Sequence, residues 1–175
     1  MNLARDIEGG WFDRLLLAPA PRATLLAGVV VSAGLRALLP GTFLLVVAFA
    51  LGVPVPTVPG LLIATVLVMG LACAMACFSV TLALRFRTQQ AAPLMQIASF
   101  IGVLFTTSYA PKPLLQDWLR TIADINPVTH ILEGVRQGFV GGVAWEHTWP
   151  ALLSVTGLIL VLGAFAARGL RRYGV

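Results

Sequence analysis

The chain has 175 residues, 58% of them hydrophobic and 11% charged, with a net charge of +5 and a mean hydropathy of +0.91. So little charge beside so much apolar surface excludes an ordinary soluble domain, in which about 25% of residues are charged. The basic residues lie in short segments between apolar stretches and form no continuous patch, so no nucleic-acid partner is expected.

Residues 1–22 form a unit of their own. Leu3, Ile7, Trp11, Leu15 and Ala18 recur at helical spacing, with Arg5, Asp6 and Asp13 elsewhere around the wheel and Glu8 and Arg14 at its edges. Gly9 and Gly10 weaken the middle, so a firm helix is predicted from about Gly10 to Leu17, ended by Pro19 and Pro21. Two readings fit: an amphipathic helix on the bilayer surface, or a cytoplasmic helix that docks into a partner protein.

Four apolar stretches follow, at 24–51, 60–84, 92–109 and 148–167. Each is near the ~20 residues a helix needs to cross the hydrocarbon core. In lipid their backbone must satisfy its own hydrogen bonds, so helices are predicted. The fold class is therefore all-α: a polytopic helical membrane protein in one transmembrane domain over 1–175. Pro54, Pro56 and Pro59 mark 52–59 as a short turn. Cys73 and Cys77 share a helix face with small neighbours, Gly70 and Ala74 among them, and read as close-packing residues. Arg36 is the one charge inside a span, ~20 Å along the helix from Arg22 at 1.5 Å per residue. No acid lies within a span to pair with it. It either contacts another span, lines a substrate path or snorkels.

Segment 110–147 is predicted to carry two outer amphipathic helices. Pro111-Lys112-Pro113 delays any helix to about Leu114, after which Leu115, Trp118, Leu119 and Ile122 share one face. Asn126-Pro127 reads as a cap and first helical position. Val128, Ile131, Leu132 and Val135 form the apolar side of the second helix, with Gly138, Gly141 and Gly142 ending it. Their apolar content suits tilted helices that dip back into the outer leaflet.

Charge sets the expected orientation. Arg5, Arg14, Arg22, Arg85, Arg87, Arg168, Arg171 and Arg172 flank the spans on one side, against Lys112, Arg120 and Arg136 on the other. The positive-inside rule then puts both termini and the 85–91 loop in the cytoplasm. No catalytic, metal or cofactor site is expected. There is no phosphate-binding loop, and the sole lysine, Lys112, sits between two prolines. His130, Glu133, Glu146 and His147 are scattered without ligand-rich spacing.

Two motifs carry a family resemblance. Glu8, Gly10, Asp13, Arg14, Leu15, Leu16, Pro19 and Arg22 resemble the cytoplasmic coupling-helix motif of ABC-2 type transporter permeases. Pro113, Trp118, Leu119, Asn126, Pro127, Thr129 and Arg136 resemble the same family's outer region before its last span. Within the family the sequence looks most like the drug-export permeases of the daunorubicin-resistance type. The resemblance implies a permease subunit in a bacterial cell (inner) membrane, paired with a separate ABC ATPase subunit and a second permease copy. ATP would bind the partner, none binding this chain, and a drug-like or lipid-like molecule would be exported. Residues 1–22 would be the coupling helix and 110–147 the re-entrant outer helices. Family members usually have six spans with the coupling helix between the second and third, so this sequence is expected to lack the first two. A membrane anchor that only binds a partner, or a remnant of a permease, is the alternative reading.

Overall fold

The structure, a computed structural model, describes residues 8–10, 21–88, 91–108, 114–140 and 142–172. Among these, the ordered elements are α1 (Arg22–Ala50), α2 (Val58–Phe86), α3 (Ala91–Leu104), α4 (Asp117–Ile125), α5 (Pro127–Val140) and α6 (Trp145–Arg172). No strand occurs among the described residues, in keeping with the all-helical prediction.

Three of these helices, α1, α2 and α6, are long and apolar enough to cross a membrane. The third apolar stretch departs from its predicted 92–109 span. Its helix, α3, has 14 residues and stops at Leu104. At 1.5 Å per residue that is ~21 Å, short of the ~30 Å hydrocarbon core. The cause is local: the Thr106 hydroxyl donates to the Val103 carbonyl and accepts from the Ser108 N–H. Such short-range side-chain bonds compete with the helical ladder and turn residues 105–108 away from it.

The long helices start earlier or end later than hydropathy suggests. Helix α2 begins two residues before the predicted 60, because the Thr57 hydroxyl accepts from the Gly60 N–H and Pro59 sits in the first turn. Helix α6 runs on through Arg171 and Arg172, where cations face the negative end of the helix dipole.

Contacts fix the arrangement. Val155 lies against Gly70, and Leu84 against Gly169, so α2 and α6 run parallel along their length. Their interface is the most extensive between helices among the described residues. Helix α1 runs antiparallel to α2, with the Cys73 thiol donating to the Val30 carbonyl at 3.5 Å. One buried cluster joins Cys77, Val80 and Ala83 of α2 to Ala166 and Leu170 of α6. A second joins Leu67 of α2, Ile131 of α5, and Ala151 and Val155 of α6. Much of α1 stays outside both: Leu39 is 75% and Phe43 68% exposed, as expected of side chains that face lipid.

Candidate functional site

Two of the sequence-predicted residues, Asn126 and Arg136, meet the backbone at the end of α3. Asn126 does three things at once. Its Oδ1 accepts from the Val128 N–H at 3.0 Å, the expected cap. Its Nδ2 donates to the carbonyls of Gly102 at 2.9 Å and Phe105 at 3.1 Å. Those carbonyls lie where α3 breaks off, at a helix end whose last acceptors have no intrahelical partner. Arg136, on α5, donates from Nη2 to the Thr107 carbonyl at 2.8 Å. Thus two polar side chains of the outer motif tie down the backbone that the short helix leaves open. These bonds are only partly buried, so each carbonyl left bare would cost about 1 kcal/mol.

The other motif residues divide. Pro127 is the first residue of α5, as predicted. Thr129 is fully buried, and its hydroxyl, like that of Thr107, has no hydrogen-bond partner among the described residues. Trp118 is not part of the cluster. It is 57% exposed, with its indole N–H donating to the Gln116 side chain. Leu119 is half-buried, and Pro113 lies outside the described residues. Of the predicted apolar face of α4, Trp118 and Ile122 are exposed, and the fully buried residue of the helix is Ala123. A small side chain lets the helix approach closely.

Helix α5 then crosses α2 at two glycines. A Cβ built on Gly60 would sit 2.8 Å from the Gly138 Cα, and one on Gly138 would lie 2.9 Å from the Gly60 carbonyl oxygen. Gly138, Gly141 and Gly142 were expected to end the second outer helix, and α5 stops at Val140. Gly138 lies inside its last turn, where the crossing admits no side chain. One turn earlier, a Cβ on Gly134 would meet Ala151 and Leu67. Gln137, not singled out by sequence, is buried and fastens the link to α6. Its Nε2 donates to the Thr148 hydroxyl at 2.8 Å and its Oε1 accepts from the Ala144 N–H at 3.0 Å. Nothing in the sequence marked it, because Gln137 lies on the polar side of the helix with His130 and Glu133, opposite Val128, Ile131, Leu132 and Val135.

Between the C-terminal half of α1, the start of α2 and the end of α5 lies an apolar groove of about 700 Å³. Leu38, Leu45, Phe49, Val68, Val135 and Phe139 are among its walls. Arg36, the candidate for a substrate path, is exposed on α1 and does not line this groove. Of the N-terminal motif, Glu8 has helical backbone and Gly10 lies in a turn at φ 70°, a left-handed conformation that favours glycine. Arg22 opens α1. Asp13, Arg14, Leu15, Leu16 and Pro19 fall outside the described residues.

Residues 1–140 match the family described as ABC-2 type transporter. The chain is 24% identical over 163 residues to a probable multidrug ABC transporter permease, YbhR, of Escherichia coli strain K12, covering 87% of this chain and 43% of that protein. It is 26% identical over 138 residues to a putative transport permease, ycf38, of Cyanophora paradoxa, covering 78% of this chain and 48% of that one. The chain thus spans less than half the length of these curated relatives. No solved structure matches it. With both the N-terminal motif and the Asn126–Arg136 cluster inside the matched residues, the chain belongs to the ABC-2 type transporter family.

Proposed function

We propose that this chain is the transmembrane permease subunit, whole or partial, of an ABC exporter. A separate ATPase subunit hydrolyses ATP, and residues 6–22 form the coupling helix that passes its closure to the spans. Two permease copies and two ATPases make the working transporter, in a bacterial cell (inner) membrane with both termini cytoplasmic. The exported molecule is drug-like or lipid-like. The observation that carries this reading is the family match over residues 1–140.

Several features support the details. Arg85, Arg87, Arg168, Arg171 and Arg172 gather at one end of the parallel α2–α6 pair, which suits the cytoplasmic side. Helices α4 and α5 meet at Asn126, against the truncated end of α3, as re-entrant outer helices would. The apolar groove beside α1 suits a lipid-like cargo. Glu8, Asp13 and Arg14 suit a polar dock, where charges supply register and specificity.

The test is co-purification in detergent. The chain, tagged at its C-terminus, is expressed with the ATPase encoded beside it, and an Arg14→Ala form is run in parallel. Recovery of the ATPase with the parent chain and its loss with the variant are expected. If a well-inserted Arg14→Ala chain recovers the ATPase equally well, residues 6–22 are not the dock.

A further inference from the structure

The C-terminal ends of α2 and α6, some eighty residues apart in sequence, form a second feature that transport does not explain. Arg85 and Arg87 from α2 and Arg168 and Arg172 from α6 line one groove of about 480 Å³. Leu84, Phe165 and Gly169 supply its apolar floor. All four arginines are exposed. A helix C-terminus favours a cation in its last turn, but that preference does not direct four guanidinium groups into one groove.

The groove continues along the helix. On α6, Val161, Phe165, Arg168 and Arg172 follow one another at spacings of four, three and four, so they share one face. Val161 is 56% and Phe165 52% exposed. Over ~16 Å of helix the stripe passes from bare apolar side chains to guanidinium groups. Arginine matches phosphate oxygens with paired donors. A phosphate bearing an acyl chain complements both halves of the stripe. A protein loop arriving from the aqueous side would meet the arginines but not Val161, which lies ~10 Å deeper than Arg168 along the helix.

We propose that this groove holds an anionic glycerophospholipid, with its phosphate against Arg85, Arg168 and Arg172 and one acyl chain along Phe165 and Val161. The site needs only the inserted chain, so its test is independent of the ATPase and of transport. The chain is placed in nanodiscs of phosphatidylcholine doped with phosphatidylglycerol, and retained lipid is counted by native mass spectrometry. The parent chain is expected to retain phosphatidylglycerol selectively. Changing Arg85, Arg168 and Arg172 together to Gln should weaken that binding about 100-fold, each surface charge contributing a similar factor. Phe165→Ala should weaken it about tenfold through lost apolar contact. Arg172→Gln alone should lose about fivefold, and it serves as the readout should the triple variant not insert.

Three results would overturn the proposal. One is a correctly inserted arginine variant that keeps phosphatidylglycerol at the parent level. Another is displacement of the lipid by inorganic phosphate with Phe165→Ala having no effect, which would make this a free-phosphate site. The third is unchanged lipid binding with loss of ATPase co-purification in the arginine variants, which would make it a protein dock.

Discussion

The crossing of α5 over α2 and the C-terminal half of α1 are both apolar, yet they are built in opposite ways. At the crossing, Gly60 meets Gly138 and Gly134 meets Leu67 and Ala151, with backbones near contact. On α1, large side chains dominate and stand open: Leu39, Phe43 and Leu44 are 75%, 68% and 65% exposed. Water would forbid the second arrangement. Lipid tails accept it, because they are as apolar as leucine and give no drive to bury it. Stability in such a chain rests on shape at close crossings and on satisfied polar backbone. Counting buried leucines would misjudge it.

The largest expected effect lies at the crossing. In Gly138→Val, or Gly60→Ala, the new atoms meet main chain, which cannot rotate away. About 3 kcal/mol of stability should be lost. Thermal unfolding in detergent, with recovery of monodisperse protein on size exclusion, measures it. Tolerance of either change would show that α5 does not seat on α2 as described.

Next comes the polar clamp. Asn126→Ala strips partners from the Gly102 and Phe105 carbonyls and from the Val128 N–H, for a loss of about 2 kcal/mol. Asn126→Asp retains the acceptor for Val128 but neither donor, and should recover only part of that loss. Hydrogen exchange at residues 105–108 should rise in both variants. Equal stability of Asn126→Asp and the parent chain would mean that only the α5 cap matters.

Arg136→Ala should cost less, about 1 kcal/mol, since the side chain is exposed and supports the single Thr107 carbonyl. Arg136→Lys, with one flexible ammonium, should sit between the two. The smallest effect belongs to α1. Leu39→Ala and Phe43→Ala should each change stability by no more than about 0.5 kcal/mol, as substitutions at exposed positions do. A clear drop in oligomer on cross-linking would instead place a second permease copy on that face and sharpen the contrast.

Not every element was equally readable. The helices α1, α2 and α6 were legible because transfer of a long apolar segment into lipid depends on that segment alone. Asn126-Pro127 was legible as a helix start for the same reason: cap and first turn are four neighbours in the chain. The end of α3 at Leu104 was not legible, since hydropathy counts 105–108 as apolar or neutral and does not see the Thr106 hydroxyl capture Val103 and Ser108. The glycine-rich end of α5 was legible, since the helix stops at Val140, but the role of Gly138 inside it was not, because a glycine that breaks a helix and one that admits a neighbour look alike in sequence. Asn126 was found, but only half of its work. Its bonds to Gly102 and Phe105 join residues over twenty positions apart.

From sequence alone came the all-helical membrane class, the long spans, the charge asymmetry and the family motifs. All of these depend on local composition, on spacing or on neighbours within a few residues. Tertiary structure alone decided which glycines touch, which carbonyls Asn126 and Arg136 satisfy, and that Arg85 and Arg168 border one groove. Those facts depend on how separate helices dock. Docking in a bilayer follows from steric fit and paired polar groups, which a count of apolar residues does not contain.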